Sequence, residues 1–162
     1  MGILIYSTIR PVRDSDRASL VPIWERSVRA THHFLTGEDI EHLRPLVAEE
    51  LFDGSLTLWV LVNASDVPLG FLGLTNDRIE ALFLDPVAHR CGGGRRLVAH
   101  AQSLRDGALS VDVNEQNAAA RAFYESLGFS VVGRSDLDDA GRPFPLLHLQ
   151  RQPPSAFQLQ EL

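Results

Sequence analysis

The sequence predicts an α/β domain built on a mixed, mostly antiparallel sheet of about seven strands with four helices. Three observations carry this. Runs of apolar and β-branched residues alternate with helical patterns in the order strand, two helices, three strands, helix, strand, helix, two strands. The three middle strands are joined by turn-length linkers, so they pair as hairpins, which excludes a doubly wound parallel sheet. The chain has 162 residues, 44% hydrophobic and 22% charged, the size and balance of one domain with one buried core and no internal repeat. The domain is expected over residues 1–150, with a tail at 151–162.

Taken in order, residues 3–10 are β-rich and end at Arg10-Pro11, which gives the first strand. Asp14-Ser15-Asp16 offers an N-cap to a helix carrying Leu20, Ile23, Trp24 and Val28, with Pro22 bending it or marking its start. Thr31 to Leu35 is a connector. Thr36-Gly37-Glu38-Asp39 caps a second helix that reaches about Phe52, interrupted by Pro45, and Asp53-Gly54 ends it. Leu58 to Val62, Leu69 to Leu74 and Ile79 to Leu84 are strands linked by turns at Asp66-Val67-Pro68 and Asn76-Asp77. A third helix places Leu97, Val98, Ala101 and Leu104 on one face. Leu109 to Val113 is a strand, and Asn117 to Leu127 a helix with Ala119, Ala122, Phe123 and Leu127 toward the core. Phe129 to Val132 and Pro145 to Leu149 are the last strands, separated by a polar loop. The tail starts at Pro153-Pro154 and carries Phe157 and Leu159.

Composition narrows the function. A net charge of −6 argues against nucleic acid or an anionic membrane as partner. The one cysteine, Cys91, excludes an internal disulfide and a thiolate zinc cage and fits a reducing cytoplasm. The six histidines show no metal-ligand spacing, so no metal is expected. The Gly2-Ile3-Leu4-Ile5 run is too short for a signal segment or a membrane span. All 15 basic residues are arginine.

The most informative stretch is His89-Arg90-Cys91-Gly92-Gly93-Gly94-Arg95-Arg96. It lies between the strand closed by Asp85-Pro86 and a helix, so unpaired N–H groups and the positive helix end converge on one spot. Adjacent glycines let the backbone approach a diphosphate with no Cβ in the way. The stretch contains neither Gly-x-x-x-x-Gly-Lys-Ser/Thr nor Gly-x-Gly-x-x-Gly, which sets aside the two familiar nucleotide motifs. The stretch is read as a diphosphate cradle, with coenzyme A as the expected ligand, beside the plain alternative of an ordinary strand-to-helix loop.

A second segment adds to this. Asn114 to Phe129, with Asn117, Ala120, Phe123-Tyr124 and Leu127-Gly128-Phe129, resembles the C-terminal signature of the GCN5-related N-acetyltransferase superfamily. The bend from His89 to Gly94 resembles that family's Arg/Gln-x-x-Gly-x-Gly/Ala motif, and Ile9-Arg10-Pro11 resembles its opening strand. The resemblance covers the chain to about residue 150. It implies an acetyl-CoA-dependent transfer of an acetyl group to a primary amine of a small molecule, protein or peptide. His89 stands where the family has Arg or Gln; a neutral imidazole offers one N–H, with Arg90, Arg95 and Arg96 available to compensate. A homodimer is compatible with the resemblance and unmarked in the sequence.

Such a reaction needs a neutral amine, a stabilised oxyanion and a proton for the departing thiolate. The resemblance implies that strand 79–84 splays from strand 109–113. Backbone along Leu82, Phe83 and Leu84 then takes the acetyl carbonyl and the pantetheine arm. The amides of Arg90, Cys91, Gly92, Gly93, Gly94 and Arg95 take the diphosphate. Asn117 holds the pantetheine or the start of its helix. Tyr124 matches the family's thiolate acid, against the alternative of a tyrosine that packs on the sheet. Glu80, placed by alternation on the face of Leu82 and about 6.6 Å from it, is either the base acting through a water or a solvated strand glutamate. His32 and His33 lie in the connector that walls the acceptor pocket; each either meets substrate or faces water. Cys91 as a nucleophile lacks a partnered base other than His89. Alternatives to the acetyltransferase are a coenzyme A-binding module without catalysis and a transferase of longer acyl chains.

Overall fold

A computed structural model describes residues 6–153. Residues 3–5 of the predicted first strand, and Pro154, Phe157 and Leu159 of the predicted tail, lie outside the described residues. Among the described residues seven strands form one sheet: β1 (Thr8–Pro11), β2 (Thr57–Val62), β3 (Pro68–Thr75), β4 (Arg78–Leu84), β5 (Leu109–Asn114), β6 (Ser130–Ser135) and β7 (Leu146–Arg151). Four helices join them: α1 (Arg17–Thr31), α2 (Gly37–Phe52), α3 (Gly93–Ser103) and α4 (Ala118–Ser126). The spatial order is β1-β2-β3-β4-β5-β7-β6. Every neighbouring pair is antiparallel except β4 and β5, which are parallel.

Alternation along the strands divides the interior in two. Val60, Val62 and Phe71 face α1 and α2, where Leu20, Ile23, Trp24, Val28, Ile40 and Leu51 complete one apolar layer. Leu61, Leu72, Val111 and Val113 face the other way and pack with Leu97, Val98 and Ala101 of α3 and with Tyr124 and Phe129. Burying a side chain of the size of Leu20 or Ile23 is worth roughly 1.5–3 kcal/mol against leaving it in water. These two layers therefore decide which face of each helix turns inward.

The helix starts follow local chemistry. Asp14–Asp16 forms a 3-10 turn ahead of α1, and the Asp16 carboxylate accepts from Arg13 N at 2.7 Å and from the Arg10 guanidinium at 2.8 and 3.1 Å. That fork fastens β1 to α1 and, with the Arg13 amide, holds the Asp16 carboxyl below its ordinary range. Thr36 and Asp39 make the reciprocal capping box at the head of α2, with bonds of 3.0 and 2.8 Å. Pro22 does not mark the start of α1, which begins five residues before it, and α2 runs through Pro45 without the expected interruption. Each removes one N–H, and packing of the apolar face carries the helix past it.

Two further expectations change. Leu104 is exposed at 49% because α3 ends at Ser103 and the chain turns away. On α4 the residue that enters the core is Tyr124, whereas Ala119 and Ala122 are exposed and Phe123 is half-buried.

Candidate active site

The feature that makes room for a ligand is the junction of β4 and β5. These strands pair only at Arg78↔Ser110 and Ile79↔Val111. Beyond Ile79 the β5-facing edge of β4 has no strand partner, and the two strands diverge into a cleft of about 650 Å³. That volume suits a ligand of cofactor size. The cleft is bounded by β4, by Val111 to Asn114 of β5, by the glycine bend, by Asn117, Ala120 and Tyr124, and by the end of α1.

The bend is built as its sequence requires. Asp85 is gripped by Arg26 of α1 at 2.6 and 3.0 Å and accepts from Val87 N, which fixes the exit from β4. Arg90 and Gly92 have positive φ, 61° and 85°, a conformation glycine adopts freely and arginine adopts at a cost. Gly94 is required for a different reason: a Cβ there would lie 3.0 Å from Phe123 Cζ, so its absence lets α4 close on α3. The first bond of α3 is Arg96 N to Gly92 O. The amides of Arg90, Cys91, Gly92, Gly93, Gly94 and Arg95 have no acceptor among the described residues. Six adjacent donors without an acceptor, at the positive end of an 11-residue helix, can take an anion. Arg90 and Arg95 have no carboxylate partner among the described residues, so their charge is free to meet an anion.

Two predicted contributors are engaged elsewhere. The His89 ring donates its Nε2–H to Leu84 O at 2.9 Å, and its backbone N–H bonds Pro86 O at 3.1 Å. A neutral ring has one N–H, and here that N–H latches the bend to the end of β4. Arg96 reaches back to Ser7, meeting its hydroxyl and, at 3.0 Å, its carbonyl. Cys91 is half-buried with its Sγ–H directed at His89 O, 3.4 Å away.

Tyr124 is buried between Phe123 and Phe129, with ring centroids 5.0 and 5.3 Å away in edge-to-face geometry, and it lines the cleft. Burial raises its phenol above the ordinary value, so it stays protonated throughout the neutral range. Asn117 caps α4: its Oδ1 accepts from Ala120 N at 3.1 Å, which turns Nδ2 toward His32 Nε2, 3.2 Å away. His32 Nε2 is therefore an acceptor, and its proton sits on Nδ1, donated to Thr31 Oγ1 at 2.8 Å. Thr31 in turn donates to Ser27 O at 2.8 Å, which closes the chain with one consistent set of donors. Burial, with the neighbouring His33 second, pushes the His32 pKa down to about 4, so the ring is neutral at pH 7. His33 is exposed and is not part of the cleft lining.

Glu80 requires a correction of its neighbourhood. The β3–β4 register slips between Gly73 and Leu74, leaving Glu80 without a cross-strand partner. Strict alternation ends there. Leu82 packs on the Tyr124 side of the sheet, whereas Glu80 lies with Trp24, Leu51 and Phe71 on the α1/α2 side. Its Oε1 accepts from Thr75 Oγ1 at 2.9 Å and faces Arg78 Nε at 3.4 Å. Glu80 still borders the cleft, but from the opposite side to that expected.

Sequence reasoning missed what lies beside it. Arg78 also bonds Asp112 Oδ2, and Asp112 Oδ1 is 2.6 Å from His148 Nδ1. His148 Nε2 is 2.7 Å from Ser135 Oγ. Asp112 and His148 are polar positions between apolar neighbours, visible in Val-Asp-Val and Leu-His-Leu, but their meeting depends on the Asp112↔His148 register of β5 and β7. Among the described residues no group of three or more His, Cys, Asp or Glu is arranged to hold a metal, and no helix is long and apolar enough to cross a membrane.

Free amides at a helix start, opening onto a strand gap lined by a buried tyrosine, have the form of a site for an anionic ligand of cofactor size. The family model of the GNAT acetyltransferase domain matches residues 35–145, and the chain belongs to that family, as an N-acetyltransferase. It is 47% identical over 142 residues to the peptidyl-lysine N-acetyltransferase YjaB of Escherichia coli K12, covering 88% of this chain and 95% of that protein. Identity to the protein of the same name in Salmonella typhimurium LT2 is 45% over 141 residues, 87% of this chain and 95% of that one. The solution structure of apo YjaB from Escherichia coli superposes with a TM-score of 0.82, covering 90% of this chain and 97% of that one at 46% identity. The fold is also that of the PaiA N-acetyltransferase of Thermoplasma acidophilum, solved with coenzyme A, at a TM-score of 0.73 over 91% of this chain and 99% of that one with 17% identity.

Proposed function

We propose that this chain transfers the acetyl group of acetyl-CoA to the ε-amine of a lysine in a protein or peptide, with Tyr124 as the acid for the leaving thiolate. The observation that carries the reading is the set of uncommitted amides from Arg90 to Arg95, at one end of a cleft whose wall is the Tyr124 phenol. The thioester supplies an activated acetyl carbonyl, and everything else is the work of the protein. The bend and its two free arginines hold the diphosphate. The unpaired edge of β4 from Ala81 to Leu84 offers backbone donors and acceptors to the pantetheine amides and the carbonyl. Tyr124, kept protonated by burial, donates to sulfur as the C–S bond breaks. Asn117 and His32, bonded to each other, keep the start of α4, and with it Tyr124, in place.

Glu80 lies on the other side of the sheet from Tyr124, beside Arg78 and Thr75. There its carboxylate faces an incoming ammonium, consistent with a cationic acceptor and a net charge of −6. The lysine acceptor is carried over from the YjaB relatives, which are named for that substrate.

The test is coenzyme A release with lysine peptides and a panel of small amines, for the wild type and Tyr124→Phe. The variant is expected to lose ~10²-fold in kcat while its coenzyme Kd stays within about twofold. A loss of coenzyme affinity in proportion to kcat would remove the acid role. Coenzyme binding with no turnover on any amine would leave a binding module.

A further inference from the structure

We propose that His148, oriented by Asp112, is the base that takes the proton from the acceptor ammonium. The proposal rests on the acetyltransferase reading above. It starts from the two faces of β5: Val111 and Val113 point into the layer that holds Tyr124, so Asp112 between them points to the opposite face. The strand gap thus has the phenol on one side and Asp112 on the other, with His148 of β7 bonded to Asp112 one strand further out. A nucleophile and a leaving group on one carbonyl carbon need separate approaches, and this division provides them.

The pair has the form a base requires. Asp112 is held at both oxygens, Oδ2 by Arg78 and Oδ1 by His148, so it cannot swing away. By accepting at 2.6 Å from Nδ1–H it fixes the tautomer and leaves the lone pair on Nε2. Among the described residues that lone pair meets only the Ser135 hydroxyl, at 2.7 Å, a rotor that can turn from donor to acceptor when Nε2 gains a proton. Asp112 lines the cleft, and His148, outside that lining, keeps its side chain 34% exposed, so an amine approaches it from the solvent side of the sheet. Glu80, the other carboxylate on this face, already has Thr75 and Arg78 on its Oε1. The charged groups around His148 are Asp112 from β5 and, behind it, Arg78 and Glu80 from β4 and Asp139 from the β6–β7 loop, 3.9 Å from Arg78.

The protons balance. His148 Nε2 takes one from the ammonium, the freed lone pair forms the C–N bond, the C–S bond breaks, and Tyr124 protonates sulfur. The second nitrogen proton restores Tyr124 through the cleft solvent. His148 gives its proton to bulk water, so one H⁺ is released per turnover.

The experiment is the pH dependence of kcat/KM with acetyl-CoA and a lysine peptide for the wild type, His148→Gln, Asp112→Asn and Glu80→Gln, with coenzyme Kd and melting temperature measured on each. His148→Gln is expected to lose ~10²- to 10³-fold at pH 7 and to regain activity only toward the ionisation of the free amine near ~10, with coenzyme Kd within about twofold. Asp112→Asn should move the profile the same way, by less. His148→Ala should be rescued by added imidazole, a response that a merely structural histidine would not give. A wild-type profile in His148→Gln, or a profile displaced by Glu80→Gln alone, overturns the proposal and leaves the acetyltransferase reading standing. A wild type that binds coenzyme and acetylates no amine overturns both.

Discussion

The neutral His32 ties folding to pH in a way that one substitution isolates. Its pKa is about 4 in the folded chain against an ordinary 6.5, because burial leaves the ring poorly hydrated and, second, His33 lies beside it. The unfolded chain binds this proton more readily than the folded one, so stability is complete above pH 6.5 and drains away as the pH falls toward 4. For one site with these two values, linkage gives ~2 kcal/mol lost between pH 8 and pH 5, with a ceiling of ~3.4 kcal/mol at lower pH. Residual contact of the ring with water reduces the figure at pH 5 to roughly 1–2 kcal/mol. Urea unfolding at pH 8 and pH 5 for the wild type and His32→Gln measures it. His100, also depressed by burial, contributes in both proteins and cancels in the difference. The wild type should lose roughly 1–2 kcal/mol more than the variant across this interval. Parallel pH profiles, or a ring resonance of His32 that titrates near pH 6.5, would refute the argument.

Two backbone positions give further tests. Asn117→Ala removes the N-cap of α4 and strands the Nε2 acceptor of His32, so a loss of ~1–2 kcal/mol in urea unfolding is expected, accompanied by reduced turnover because Tyr124 is carried on that helix. Gly92→Ala places a Cβ at φ 85°, which should cost ~1 kcal/mol of stability and weaken coenzyme binding in calorimetry by distorting the cradle.

The strand and helix order was readable because it rests on local patterning: period-two alternation, caps at Thr36 and Asn117, and turn residues between apolar runs. Pro22 is read as a bend or a start and Pro45 as an interruption because local rules weigh the missing N–H, whereas the burial of Leu20, Ile23 and Trp24 in α1 and of Ile40 and Leu51 in α2 outweighs it. The glycine bend and Tyr124 were legible as a contiguous motif and a helix position. Glu80 was assigned to the wrong face since a single-residue bulge leaves no mark in the sequence yet inverts everything on one side of it. His89 stood at the motif's first position, and only the three-dimensional path of the bend shows its N–H spent on Leu84 O. Arg78, Asp112, Ser135 and His148 come from four strands, so their meeting is a property of register, which no local pattern encodes.

The two-pair junction of β4 with β5 has a mechanical consequence. Between the four strands on one flank and the three on the other, backbone bonding nearly stops, and cohesion passes to side chains such as Leu72, Ile79, Val111 and Leu147 and to the Arg78–Asp112 bridge. The sheet is in effect a pair of panels sharing a short seam. A molecule wedged along that seam completes the weave from both edges at once. Occupancy should therefore slow amide exchange in β4 and β5 together, while the hairpin of β2 and β3 remains as protected as before.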